Sequence, residues 1–499
     1  MEATGGYSVV NSNLAHKLDN ENTIDVETND IPLKWCSVSL SDVIFRGKRL
    51  EASVFDVEAK QARQIIKNSK FPSTTIGGEN GLTTSYTCAR FKRIWLEHSD
   101  FPIYQPSTIV DIKPKPDGYI SHLTKTNIEN LRVKKGQILM TCSGTIGKVS
   151  YVSDTLKNKI FSHDLLRINC KNTVDQGYVY TYLKSKVGNK ILLTNSYGAV
   201  ITHIEPEHLA TIPIPDAPRE IKERIHNLIV QSFDLRDESN ELIDEATNLL
   251  IDELKLPSIS ELKKSSAKSF ANVNAFSVKL NNLAGRVDAS YHLPIVDAIV
   301  NHLRKYAEEV TTVGDERISS DIILPGRFKR VYVDEGFGRV FIGGKQLWEL
   351  DPTNKKYLSN SKHNTRIIKE LEISENTTLI TRSGTIGKVT MVPKHWEHWV
   401  TSEHIIRVVP SSSEIAGYLN VFLTSDYGNV LIKRFTYGSV VDEIDDNHVS
   451  QIAIPLLKNK DVQKQINNLA LEANQKRYEA FLLEQQALEI MDNEVIFAK

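Results

Sequence analysis

Apolar residues in this chain follow two rhythms. Positions 221, 225, 228, 232, 235, 239, 242, 246 and 249 alternate steps of four and three, and so do 462, 466, 469, 473, 476, 480, 483, 487 and 490. That spacing marks the seam of a long helix sustained over four heptads. Ile221, Ile225, Leu228, Leu235, Leu242 and Leu249 carry the first seam, and Val462, Ile466, Leu469, Leu483 and Ile490 the second. Ser232, Ser239 and Lys476 interrupt them, so neither seam suits a fully apolar core. A helix of some 35 residues would be about 50 Å long. The simplest partner for each seam is the other, antiparallel if a two-fold axis crosses them. Two helices each packed on its own domain are the alternative. Asp216, Pro218 and Glu220 supply the start signal for the first.

Elsewhere the rhythm is that of strands. "ILMTCSGTIGKVSYV" and "TLITRSGTIGKVTMV" each read as strand, tight turn, strand. Their shared heptapeptide, Ser143–Val149 and Ser383–Val389, recurs 240 residues apart, and the same offset links Ser162 to Ser402 and Arg167 to Arg407. Gly177-Tyr178 and Gly417-Tyr418, Gly188-Asn189 and Gly428-Asn429, Tyr197-Gly198 and Tyr437-Gly438, His208 and His448, and Ile214-Pro215 and Ile454-Pro455 obey it too. Upstream the offset is 237, joining "RFKR" at Arg90–Arg93 to "RFKR" at Arg327–Arg330, and "RLEAS" at Arg49 to "RVDAS" at Arg286. A period this long indicates duplicated domains rather than a solenoid. The chain divides into a polar tail (1–39), a first globular domain (40–215), a long helix (216–256), a polar connector (257–285), a second globular domain (286–455) and a second long helix (456–499).

The 499 residues suffice for a sizeable core, and 40% apolar with 25% charged residues is a globular composition. No apolar run reaches membrane-helix length, and the first thirty residues lack the pattern of a signal peptide. Four cysteines without CxxC spacing argue against zinc or a disulfide framework and fit a reducing cytoplasm. Net charge is −1, but its distribution is uneven: residues 40–215 hold 24 Lys and Arg against 15 Asp and Glu, residues 219–254 hold 4 against 10, and residues 286–455 hold 20 against 22. The basic first half suits a polyanion, and the acidic helix suits a protein surface.

A nucleotide-binding loop needs G-x-x-x-x-G-K-[ST]. Cys142 and Arg382 occupy the first glycine position, and Val149 and Val389 follow the lysines, so both copies fail at the same two places. "GFGRVFIGG" has Phe341 where a dinucleotide fingerprint needs its third glycine. Asp216, Glu220 and Lys222 imitate a nuclease triad but sit in a helix cap, and the second half has "PLLKNKD" there. Ser162, His163 and Asp164 are strand neighbours and point to opposite faces. The heptapeptide glycines are then either hairpin turns or a backbone laid against phosphates, with Lys148 and Lys388 as point charges. Being identical in both halves, the motif can hold or position but cannot discriminate two targets.

In these motifs, in their order twice over, the chain resembles the specificity subunit of a type I restriction–modification system. "SGTIGKV", "ARFKR" and "GRFKR", "RVDAS", "YGAVITHIEPEHLATIPIP" and "YGSVVDEIDDNHVSQIAIP" carry the likeness. The resemblance implies an α+β fold: two tandem target-recognition domains, mixed α/β with a twisted sheet, joined by two long antiparallel coiled-coil helices in pseudo-two-fold symmetry. It implies a non-catalytic chain that reads a bipartite, asymmetric duplex DNA site. Two adenine-N6 methyltransferase subunits, and motor–nuclease subunits for cleavage, would dock on it in the cytoplasm of a bacterium or archaeon. S-adenosylmethionine, ATP and magnesium would belong to those partners, with no cofactor or metal in this chain. The expected DNA contacts are Arg90, Lys92, Arg93, Lys113, Lys115, Lys148 and Tyr197 in the first half, and Arg327, Lys329, Arg330, Lys345, Arg382, Lys388 and Tyr437 in the second. Base readers should lie where the halves diverge, at 102–133 and 339–373. A specificity chain of a methylation-based defence system without cleavage, a nucleotide-using enzyme and a coiled-coil adaptor that touches only proteins are the alternatives.

Overall fold

The computed structural model describes residues 37–45, 48, 50, 52–198, 202–266 and 275–498. Most of the polar tail, and the middle of the connector, lie outside the described residues.

Each heptapeptide closes a hairpin. In the first half, Ile138–Thr141 pairs antiparallel with Val149–Tyr151, and in the second, Thr378–Thr381 pairs with Val389–Met391. Gly144 and Gly147 take φ of +70° and +85°, and Gly384 and Gly387 +73° and +82°, a region side chains resist. The Thr141 and Thr381 hydroxyls lock the turns by donating to the carbonyls of Thr145 and Thr385, each at 2.6 Å.

Around this hairpin each half builds the same layers. A four-stranded sheet runs Thr83–Tyr86, Leu165–Cys170, Ile138–Thr141, Val149–Tyr151 in the first half, and Ser319–Ile323, Ile405–Pro410, Thr378–Thr381, Val389–Met391 in the second. A smaller sheet orders Trp95–Leu96, Gly118–Ile120, Pro102–Tyr104 and Ile160–Phe161, matched by Tyr332–Val333, Lys356–Ser359, Gly338–Ile342 and Val400–Thr401. Arg167 and Arg407, both buried, bolt the two sheets together. Their guanidiniums donate to the carbonyls of Leu131 and Phe161, and of Leu371 and Thr401, at 3.1–3.2 Å.

Two long helices follow, Arg219–Glu253 and Lys460–Ile490. They run antiparallel against each other: Ser232 Oγ donates to the Ala480 carbonyl at 2.7 Å, Lys476 meets Glu238 at 2.7 Å, and Arg224 meets Glu494 at 2.8 Å. The expected pairing of the seams is thus the observed one. Within each seam, every seventh residue is fully buried: Ile225, Ser232, Ser239 and Ala246 on one helix, Ile466, Ala473, Ala480 and Ala487 on the other. Leu228, Leu235, Leu242, Leu469 and Leu483 are only half-buried. Small residues at the crossing line let the backbones come close, so the interruptions in the apolar pattern are the contact itself.

Each helix also belongs to both cores. Ala246, Leu250 and Leu254, at the end of the first, join the core of the second half, while Ala487, Ile490 and Met491 join that of the first. The Gly-Tyr pairs seat the globules on the rods. A Cβ on Gly177 would lie 2.5 Å from His226 Cα, and one on Gly417 2.3 Å from the Asn467 carbonyl oxygen. The hydroxyls of Tyr178 and Tyr418 donate to the carbonyls of Pro215 and Pro455 at 2.5 and 2.6 Å. Two motifs separated by 37 residues are therefore one contact, made twice.

Candidate nucleic-acid interface

"RFKR" runs into the outer strand of the smaller sheet in each half. Arg90 and Lys92 are exposed and have no ion-pair partner among the described residues. The Arg93 guanidinium lies 6.0 Å from the Phe91 ring and 5.8 Å from the Trp95 ring. Ile94, Trp95, Leu96 and Leu123 are exposed beside them, a basic strip edged with apolar surface.

The second half uses the same frame differently. Arg330 pairs with buried Glu403 at 2.6 Å and lies over Phe341, Arg327 reaches Glu443 at 3.5 Å, and Arg382 is paired with that same Glu443. The first half has His163, His203 and Cys142 at the positions of Glu403, Glu443 and Arg382. Near-zero charge in the second half thus reflects counter-ions placed against its own arginines. Lys329 and Lys345 remain exposed without an ion-pair partner among the described residues. Tyr197 donates to Glu205, and its ring lies 5.1 Å from that of His208; Tyr437 is partly exposed beside His448. Burial lowers the pKa of His163, and the nearby Arg93 and Arg90 charges work in the same direction, against Asp164.

Four more of the expected contacts, Lys113, Lys115, Lys148 and Lys388, have neighbours within the chain. Lys148 Nζ lies 2.5 Å from Glu349 Oε1, across the boundary between the halves. Lys388 Nζ sits 4.4 Å from the centre of the Trp348 ring, and Lys115 approaches that ring at 5.8 Å. Lys113 is paired with Asp244 on the first long helix. These four lysines gather at a junction instead of joining the outer basic strip. There the Ile112 N–H donates to the Trp348 carbonyl at 2.8 Å, and Asp111 and Glu349 form an antiparallel β-bridge. Register in the smaller sheets makes Asp111 and Glu349 equivalent, so the bridge sits on the pseudo-two-fold axis. Burial pushes the Asp111 carboxyl up to about 7, against the pull of Lys388. Lys148 therefore faces an acid of the other half, while Lys388 lies over Trp348 of its own half and near enough to Asp111 to draw its pKa down. The globules touch as well as being spaced by the rods. An acid at equivalent places in two otherwise dissimilar loops was the only sequence signal of this junction.

The long helices carry one feature invisible in the heptads. Glu484, fully buried, is held by Arg236 at 2.6 Å, by Lys184 at 2.7 Å and by the Tyr180 hydroxyl. Burial alone would raise its pKa, but those cations overturn the effect and hold the carboxyl well below the usual range.

Among the described residues no group of three His, Cys, Asp or Glu side chains is placed to hold a metal ion, and no helix is long and apolar enough to cross a membrane.

Two copies of one framework, each with its own exposed surface, are mounted on shared antiparallel helices. Residues 32–247 match the family described as "Type I restriction modification DNA specificity domain". That match spans the first globule and most of the first long helix, and the second half of the chain repeats the same strand order. Solved structures similar to it include the type I restriction–modification S subunit from M. genitalium, at 14% identity over 85% of this chain and 96% of that one, with a TM-score of 0.29. Another is the HsdS subunit from Thermoanaerobacter tengcongensis, at 12% identity over 84% and 98%, with a TM-score of 0.25. Superposition at that level carries no weight beside the sequence match. Among curated proteins nothing matches.

Proposed function

We propose that the chain is the DNA-reading scaffold of an adenine-N6 methyltransferase, each half reading one part of a bipartite, asymmetric duplex site. The observation that carries this is the identity of the two frameworks set against the difference of their surfaces. The first half offers Arg90 and Lys92, without ion-pair partners among the described residues, with exposed Trp95, while the second offers Arg327 and Arg330 already matched to acids. Cations without internal partners supply phosphate affinity; divergent side chains supply discrimination. Dissimilar readers imply dissimilar half-sites.

On this reading the antiparallel helices set the unread spacer, and their outward faces, rich in Glu and Asp on Arg219–Glu253, receive the methyltransferase subunits. Two such subunits suit the pseudo-two-fold axis, and motor–nuclease subunits would join for cleavage. S-adenosylmethionine, ATP and magnesium would enter with those partners. Mapping modified adenines in host DNA tests the ruler. One heptad inserted into both helices should lengthen the spacer and leave both half-sites unaltered; an unchanged spacer would refute it.

A further inference from the structure

The Glu484 network has a pseudo-symmetric counterpart that is hollow. Asp351, 3.9 Å from Lys184, borders that network. The repeat carries Arg236 to Arg477, Glu484 to Ile243, Tyr180 to Asn420, Lys184 to Thr424 and Asp351 to Lys113. All five counterparts line one half-open cavity of about 630 Å³ between the two long helices, the second globule and the junction loops. The arginine has been kept while its carboxylate has become isoleucine and the large neighbours have become small. Arg477 has no ion-pair partner among the described residues; its one polar contact is Nε to Ser239 Oγ at 3.4 Å. Asn420 is buried and its Nδ2 has no hydrogen-bond partner. At Arg236, Glu484 overturns the effect of burial; at Arg477 nothing does, and burial brings the pKa down to about 10. Arg477 is half-buried at the cavity wall, and a partly desolvated cation without a counter-charge is costly. The two acids at the rim do not answer it: Asp244 is taken by Lys113, and Asp426 lies at the start of the next helix.

We propose that this cavity binds a small organic carboxylate, its acid group held by Arg477 and Asn420 where the first half uses Glu484. The apolar body would rest on Ile243, Ile251, Leu256 and Ile259, which line the same space. Bound there, the ligand would complete the second half of the rod pair as Glu484 completes the first.

Hexanoate is a suitable probe. In thermal unfolding of the full chain at constant ionic strength, it should raise Tm saturably, by about 1–2 °C at ten times Kd. Arg477→Met should abolish that response without lowering the basal Tm. Ile243→Glu, which restores the missing carboxylate in place, should raise the basal Tm and also abolish the response. A chain that shows no saturable shift, or whose shift survives Arg477→Met, would overturn the proposal. So would an equal shift with inorganic phosphate and with chloride.

Discussion

Replacing Glu484 by glutamine isolates an ion pair between the rods whose carboxylate is fully buried. The substitution keeps shape and removes one charge. Arg236 and Lys184 are then left in a site where Glu484 was fully buried, with Asp351 as the nearest remaining acid, 3.9 Å from Lys184. Removing one partner of a buried ion pair costs about 3–5 kcal/mol, because the other charge stays out of water. Arg236→Met with Glu484→Met removes two of the three charges, fills the space with apolar atoms and leaves Lys184 with Asp351, so the double variant should lose less than the single one. Urea unfolding of the full chain measures both. The effect should also depend on pH. The Glu484 carboxyl is depressed on folding, so its contribution is present above the unfolded value of 4.5 and is lost as pH falls below it. The difference between wild type and Glu484→Gln should therefore be largest near neutrality and shrink in acid. A single variant that loses under about 1 kcal/mol, or a double variant less stable than the single, would refute the buried network.

Other outcomes follow from the same geometry. Arg90→Ala and Lys92→Ala should each lower the slope of log affinity against log salt for duplex DNA by about 1, whereas Lys148→Ala should leave it nearly unchanged, since Lys148 is occupied by Glu349. Gly417→Ala should cost about 1–3 kcal/mol in unfolding, because its Cβ would meet the Asn467 carbonyl at 2.3 Å. Burial holds the Asp111 carboxyl up to about 7, so the folded chain keeps a proton that the unfolded chain releases near 3.8. Stability then falls as pH rises between those values, and Asp111→Asn should flatten the unfolding profile from about pH 4 to 7.

Much of this architecture was legible because repetition is a one-dimensional property. Heptad spacing gave the antiparallel pair, and shared glycines gave the turns. The pairs Gly177-Tyr178 and Ile214-Pro215 marked two ends of one contact, though only the fold joins them. What the sequence hid was partnership. Lys148 and Lys388 look free in a glycine loop, but the meeting of the halves brings Lys148 to Glu349, and Lys388 lies over Trp348 of its own half. Glu484 looks like any solvated charge on a helix, because the apolar seam passes beside it and the cations that bury it come from residues 184 and 236. Charge counting gave the imbalance between the halves but not its cause, which is the pairing of Arg330 with Glu403 and of Arg382 with Glu443.

The most direct test exchanges one reader and watches the other. Residues 40–215 would be replaced by the matching domain of a related specificity chain, and modified adenines mapped in DNA from cells that express the complex. Independent readers on a common ruler predict one changed half-site, one unchanged half-site and the same spacer. A change in both half-sites would contradict it.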